Sequence, residues 1–132
     1  MSRPDISIIV PLYNENEVFG KLVLRLQSVM DSCVHSVEVI LVDDGSKDQT
    51  AQLIHDITSK DKRFKGVLLS RNFGHQIALS AGMAHAQCTQ ALMVIDGDLQ
   101  DPPELLIPMY DKIQRGFDIV GTRRSDRSGE PP

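Results

Sequence analysis

Cysteine is scarce in this chain: Cys33 and Cys88 are its two, far apart and without metal-ligand spacing. No disulfide framework or zinc site can be built from them, and they read as reduced packing residues of a cytoplasmic protein. Long apolar runs are missing too. None approaches a membrane span, and the N-terminal MSRPDIS lacks the apolar core of a signal peptide. Basic charge is not in excess: 14 Lys and Arg against 18 Asp and Glu leave a net charge of -4, which argues against nucleic acid as a partner. Nothing repeats internally. The two glycine-rich diphosphate cradles, G-x-G-x-x-G and G-x-x-x-x-G-K-[ST], are both absent. The first turn reads VPLYNENE instead, so any nucleotide diphosphate would have to be held by other means.

What remains is an ordinary soluble composition, 41% hydrophobic and 24% charged over 132 residues, enough for one domain with a real core. The chain alternates short β-branched apolar runs with helical periods. Ile6 to Val10, closed by Pro11, is a first strand. Asn14 with Glu17 spells a capping box, and Val18, Leu22, Leu26 and Val29, joined by Phe19, Val23 and Met30, make an amphipathic helix. Val37 to Val42 is a second strand; Ser46 to Gln49 is a second capping box, opening a helix with Leu53, Ile54 and Ile57 on its core face. Val67 to Leu69 is a third, shorter strand. Arg71-Asn72-Phe73-Gly74 then turns into a helix from His75 to Ala86, whose small residues, Gly82 among them, suggest close packing on a sheet. Ala91 to Ile95 is a fourth strand, Pro102 to Arg115 a fourth helix and Phe117 to Gly121 a fifth strand. This alternation predicts an α/β layered fold with a mostly parallel sheet. Residues 1–122 form the expected domain, and 123–132, polar and aperiodic, a loose tail.

In such sheets ligands lie beyond the carboxyl ends of the strands. Those ends carry Tyr13, Asn14 and Glu15 after the first strand, Asp43 and Asp44 after the second, and Asp96 and Asp98 after the fourth. Carboxylates crowded at one edge repel each other, and a hard divalent cation is the usual remedy. Mg²⁺ takes one or two protein carboxylates and leaves further positions to substrate phosphates. Asp96 and Asp98 therefore point to a metal–diphosphate site, with a solvated acidic turn as the plainer alternative. Asp43 or Asp44 could instead cap the helix that follows, and Arg71 could serve a phosphate or a structural ion pair. His75, near a helix N-terminus, reads as a neutral surface histidine. A phosphoacceptor signalling domain shares the layout but needs one Asp at the end of its third strand and a Lys after its fifth. Ser70-Arg71 and Gly121-Thr122-Arg123 stand there, so that reading fails.

The series IIVPLYNE, VDDGSKD, RNFGHQIALSAG, DGDLQDPPE and VGTRR, in this order and spacing, resembles the family 2 glycosyltransferases with the GT-A fold. The branch it is most similar to contains dolichyl-phosphate mannose synthase and the bacterial polyprenyl-phosphate (bactoprenol) glycosyltransferases, and the likeness covers nearly the whole chain. The resemblance implies that Pro11, Tyr13 and Glu15 line a nucleotide pocket and that Asp43 contacts the base, with Asp44 beside it. It implies that Asp96 and Asp98, as a D-x-D motif, hold Mg²⁺ or Mn²⁺ on the donor diphosphate. Gln100 lies near the metal and sugar, and Arg123 meets donor or acceptor phosphate; Asp98 and Gln100 are the implied catalytic residues. The family's catalytic domain runs well past position 132, so a truncated fold supplying the donor-binding half is expected.

The activity so implied is metal-dependent transfer of a sugar from a UDP- or GDP-linked donor to a polyprenyl-phosphate acceptor. Such a phosphate needs no general base, because its second pKa of about 6 leaves it largely anionic near neutrality. Transfer to a saccharide hydroxyl, or a catalytically silent nucleotide-sugar-binding fragment, remain the alternatives. A cytoplasmic location, peripheral to the inner membrane face, and homo-oligomerisation through an exposed sheet edge complete the expectations.

Overall fold

The structure, a computed structural model, describes residues 3–97, 103–105, 108 and 110. Its element order is β1 (Ile6–Leu12), α1 (Asn16–Ser32), β2 (Val37–Asp43), α2 (Thr50–Lys60), β3 (Phe64–Leu68), α3 (His75–His85) and β4 (Ala91–Val94), followed by a 3-10 turn at Pro103–Leu105. Among the described residues the strands form one parallel sheet in the order β3-β2-β1-β4. Strand order therefore reverses at β1, which pairs with β2 on one side and β4 on the other. The expected α/β layering with a parallel sheet is what the chain adopts.

The register is set by which side chains must be buried. Ile6, Ile8, Val10 and Leu12 of β1 share one apolar cluster with Val39 and Leu41 of β2, Ile54 of α2, and Phe19, Leu22, Leu26 and Val29 of α1. The alternate residues, Ile9, Ile40 and Val42, meet Ala78 of α3 on the opposite face. All seven residues of β2 are buried, as an interior parallel strand covered on both faces should be. Gly82 explains how α3 lies so close: a Cβ there would sit 2.5 Å from Ile9 Cγ2 and 3.0 Å from Val42 Cγ2. The small residues of this helix are thus a packing device, as expected.

Three local expectations are corrected. Asn14 does not cap α1, which starts at Asn16; Asn14 instead takes a left-handed φ of 53° in the turn before it. Ser46 does not cap α2 either, since that helix begins four residues later at Thr50. The third strand starts at Phe64 rather than Val67, because Phe64 is buried under α2 while the residues between alternate. Of the expected fourth helix, 103–105 form the 3-10 turn and 108 and 110 are helical, the rest lying outside the described residues. Glu104 there pairs with Arg25 of α1 through two hydrogen bonds, 3.0 Å from Nε to Oε2 and 2.5 Å from Nη2 to Oε1. The expected fifth strand at 117–121 and the tail at 123–132 also fall outside the described residues.

Candidate functional site

The loops leaving β1, β2 and β3 are laced to one another by side chains from the β1 and β2 loops. Ser46 Oγ accepts the Asn14 N–H at 2.8 Å, and Asn14 Oδ1 accepts the Lys47 N–H at 2.8 Å. Thr50 Oγ1 accepts the Glu15 N–H at 3.0 Å, and Asp48 Oδ2 accepts the Asn16 N–H at 3.2 Å. The free N–H groups at the start of α1 are thus satisfied from the neighbouring loop rather than from its own cap. Asp48 Oδ1 also accepts the Thr50 N–H at 2.9 Å and the Thr50 hydroxyl at 2.6 Å. Burial alone would raise the Asp48 pKa, but its bonds from Thr50 and Asn16 outweigh this and hold it below the ordinary carboxylate value.

The two adjacent aspartates at the end of β2 do different things. Asp43, 3% exposed, is turned to the loop that follows its strand, its two oxygens 3.2 and 3.3 Å from the Ser46 N–H. Asp44, 5% exposed, turns outward and accepts the Phe73 N–H at 2.8 Å and the Gly74 N–H at 3.1 Å. Gly45 follows with φ at +70°, and a Cβ on it would strike the Arg71 carbonyl carbon at 2.2 Å. Only glycine lets the two loops touch backbone to backbone at this point. Arg71 itself lies with its guanidinium 4.4 Å from the Phe73 ring centroid, a cation–π contact.

These loops enclose a cleft of about 520 Å³ at the carboxyl end of the sheet, lined by Pro11, Leu12, Tyr13, Glu15, Asp44, Asn72, Gly74, His75, Ala78, Asp96 and Gly97. It lies where β1 parts from β4, the reversal point at which open α/β sheets hold their ligands. Its size falls within the range of small-molecule sites, roughly 300–1,000 Å³. Of the residues singled out in the sequence, Pro11, Tyr13, Glu15, Asp44 and Asp96 border it together; Asp43 does not. Asp98, Gln100 and Arg123 lie outside the described residues. The wall formed by Asn72, Gly74 and His75 was not assigned a ligand role from sequence, although the RNFG run and the positive φ of 102° at Gly74 mark it as a specialised turn. Among the described residues no group of three or more His, Cys, Asp or Glu side chains converges as a ready-made metal cage.

Comparison with known proteins places this geometry. Residues 7–132 match the family model described as glycosyl transferase family 2. An uncharacterized glycosyltransferase, YkcC of Bacillus subtilis (strain 168), is 46% identical over 124 residues, 94% of this chain and 38% of the relative. The undecaprenyl-phosphate 4-deoxy-4-formamido-L-arabinose transferase of Pseudomonas fluorescens (strain Pf0-1) is 39% identical, covering 92% of this chain and 36% of the relative. The chain thus spans less than two fifths of the length of either. Among solved structures, S. aureus TarS 1-349 in complex with UDP-GlcNAc superposes with a TM-score of 0.67 at 27% identity, over 84% of this chain and 31% of that one. The mannosyltransferase PcManGT from Pyrobaculum calidifontis, in complex with GDP-Man and Mn²⁺, gives a TM-score of 0.62 at 24% identity over 74% of this chain and 28% of that one, a likeness of fold.

Proposed function

The chain belongs to glycosyl transferase family 2, and from that premise we propose that its cleft binds the nucleotide diphosphate of a UDP- or GDP-linked sugar. The parent activity is then metal-dependent transfer of that sugar to a polyprenyl phosphate at the membrane face. One observation carries the reading. Tyr13, Glu15, Asp44 and Asp96, spread over 84 positions of sequence, border a single cleft at the reversal point of the sheet. The relative from Pseudomonas fluorescens, named as an undecaprenyl-phosphate transferase, supports the lipid-phosphate acceptor, and TarS with UDP-GlcNAc supports the donor class.

Asp96 borders the cleft, and with Asp98 two positions on it would hold Mg²⁺ or Mn²⁺ against the donor diphosphate. Such a cation supplies Lewis-acid stabilisation of charge on the departing diphosphate. Pro11 and Tyr13 from the end of β1 and Asn72 from the loop before α3 line the same cleft. A donor laid between them has its base and ribose held by β1 and loop contacts and its diphosphate directed toward Asp96. A phosphate acceptor, already anionic near neutrality, requires no general base from these residues.

Calorimetric titration with UDP and with GDP, each with and without Mn²⁺, tests the reading on the wild-type chain and on Asp96→Ala. Metal-dependent binding of one nucleotide is expected, weakened roughly tenfold or more in the variant. Binding that ignores both the metal and Asp96 would refute the metal–diphosphate assignment; no binding of either nucleotide would refute the donor site.

A further inference from the structure

We propose that the outer face of α3 is a docking surface for a lipid bilayer rich in acidic headgroups. This deepens the lipid-acceptor reading above, which supplies the use of such a contact; the surface itself follows from exposure and charge. Helix α3 packs on the sheet through Ala78 and Gly82, both buried. On its other side Gln76, Ile77, Ser80, Met83 and Ala84 are all exposed, Ile77 to 50% and Met83 to 47%. None of these five can carry a charge. A surface helix ordinarily turns charged side chains to water. The other two do so: α1 exposes Glu17, Lys21 and Asp31, and α2 exposes Asp56 and Lys60. Phe73, 36% exposed, adds an aromatic ring just ahead of α3.

The charge around this face has one sign. No Asp or Glu stands between Asp61 and Asp96, in a chain that has 18 of them. Arg71, ahead of the helix, lies over the Phe73 ring at 4.4 Å. Beyond its carboxyl end, Arg3 Nε donates to the Gln87 carbonyl at 3.1 Å. Glu38, whose Oε2 accepts the Gln87 N–H at 2.7 Å, is buried with Lys65 Nζ 2.6 Å from its other oxygen, so the pair adds no net negative charge here. Half-exposed apolar side chains framed by arginines suit an anionic bilayer interface. The apolar groups enter the headgroup boundary, and each cation meets acidic lipid. A second copy of this chain is the poorer occupant. Two such faces set together would oppose arginine to arginine, with no carboxylate of this stretch to receive either. The contact would also be oriented. His75, the first residue of α3, borders the cleft, so a bilayer on this helix lies beside the place where a lipid-borne phosphate must arrive.

Co-sedimentation of the 132-residue chain with vesicles tests this. The vesicles are phosphatidylcholine alone, or equal parts phosphatidylcholine and phosphatidylglycerol, with no polyprenyl phosphate in either. Wild type should bind the anionic vesicles at least about tenfold more tightly than the neutral ones. Raised salt should remove most of that difference. Arg3→Gln and Arg71→Gln should each weaken anionic binding about fivefold, and Ile77→Gln about as much. Leu24→Gln removes an apolar side chain, 68% exposed, from α1 on the opposite face of the sheet, and should change nothing. All four variants alter exposed side chains and should keep the wild-type urea midpoint; if Ile77→Gln does not fold, the arginine variants carry the test. Equal binding to both vesicles, binding to neither, or losses as large in Leu24→Gln as in Ile77→Gln would overturn the proposal. So would an oligomer in sedimentation velocity that Ile77→Gln dissolves, since the face would then belong to a second copy. Anionic vesicle binding by a chain that binds neither UDP nor GDP would fault the donor site and leave the docking surface standing.

Discussion

Single residues in this protein matter chiefly where a carboxylate has been given a fixed set of partners. Asp61, at the turn from α2 to β3, receives Arg63 Nε at 3.0 Å and Nη2 at 2.8 Å on its two oxygens, and Gln27 Nε2 at 3.2 Å. The Arg63 guanidinium holds its pKa down from 3.8 to about 2, against the opposing pull of burial. A depressed carboxylate stabilises the fold above its unfolded pKa, and the stabilisation is lost as pH falls through the folded value. Asp61 thus contributes fully above about pH 4, and its contribution disappears as the pH drops toward about 2. Asp61→Asn should lower stability at pH 7 by about 1–2 kcal/mol, a figure reduced for the solvent around Arg63. Urea unfolding from pH 7 down to pH 2 checks this: the gap between wild type and variant should close toward the acid end, and a constant gap would exclude the ion pair as its origin. Glu38 is a second such case, buried in β2 where it accepts the Ser7 hydroxyl at 2.5 Å and the Gln87 N–H at 2.7 Å, with Lys65 Nζ 2.6 Å away. Burial would raise its pKa, yet Lys65, Ser7 and Gln87 together bring it below the ordinary value.

At the scale of the element, α3 is the helix whose position decides most. Glycine inside a helix costs about 1 kcal/mol relative to alanine, so its presence at two helical positions calls for separate explanations. Gly82 of α3 faces Ile9 and Val42, whose methyl groups stand on stiff β-branched side chains and cannot easily step aside. Gly20 of α1 is exposed, with nothing within 4 Å of where its Cβ would be. Gly82→Ala should therefore destabilise by a net of about 1–2 kcal/mol, overpacking outweighing the gain in helix propensity. Gly20→Ala should stabilise by about 1 kcal/mol or somewhat less. Urea midpoints of the two variants give the comparison, and equal, stabilising effects at both would mean that α3 does not press on the sheet. The helix starts are where sequence reading went astray, and for one reason. A capping box is a local pattern, whereas the N–H groups at the start of α1 find their acceptors in Thr50 and Asp48, more than thirty positions away.

For the molecule as a whole, the loops of β1, β2 and β3 and the exit of β4 meet, among the described residues, at the cleft. A ligand bound there would bridge parts of the chain that are far apart in sequence, and so would bind the folded state alone. By mass action a nucleotide at a hundred times its Kd should add about 2.7 kcal/mol to stability. Thermal unfolding should accordingly shift upward by several degrees with UDP or GDP plus Mn²⁺. An unchanged Tm at saturating nucleotide would show that no such site forms. The sequence by itself determined the alternation of strand and helix, the parallel sheet, the apolar faces of α1 and α2, and the family. Those depend on period, propensity and short motifs, all of which are local. It also showed that acidic groups gather at the strand ends, because a strand's direction carries its last residue to a known edge. Only the tertiary structure decided that Asp44 borders the cleft and clamps the neighbouring loop while Asp43, its neighbour in an identical local setting, is turned to Ser46. Only it brought Asn72 and His75 into the wall, and only it gave Asn14 and Ser46 their partners in each other's loops. Which of two adjacent carboxylates borders the cleft depends on the backbone that arrives opposite it, and that backbone comes from a distant part of the chain.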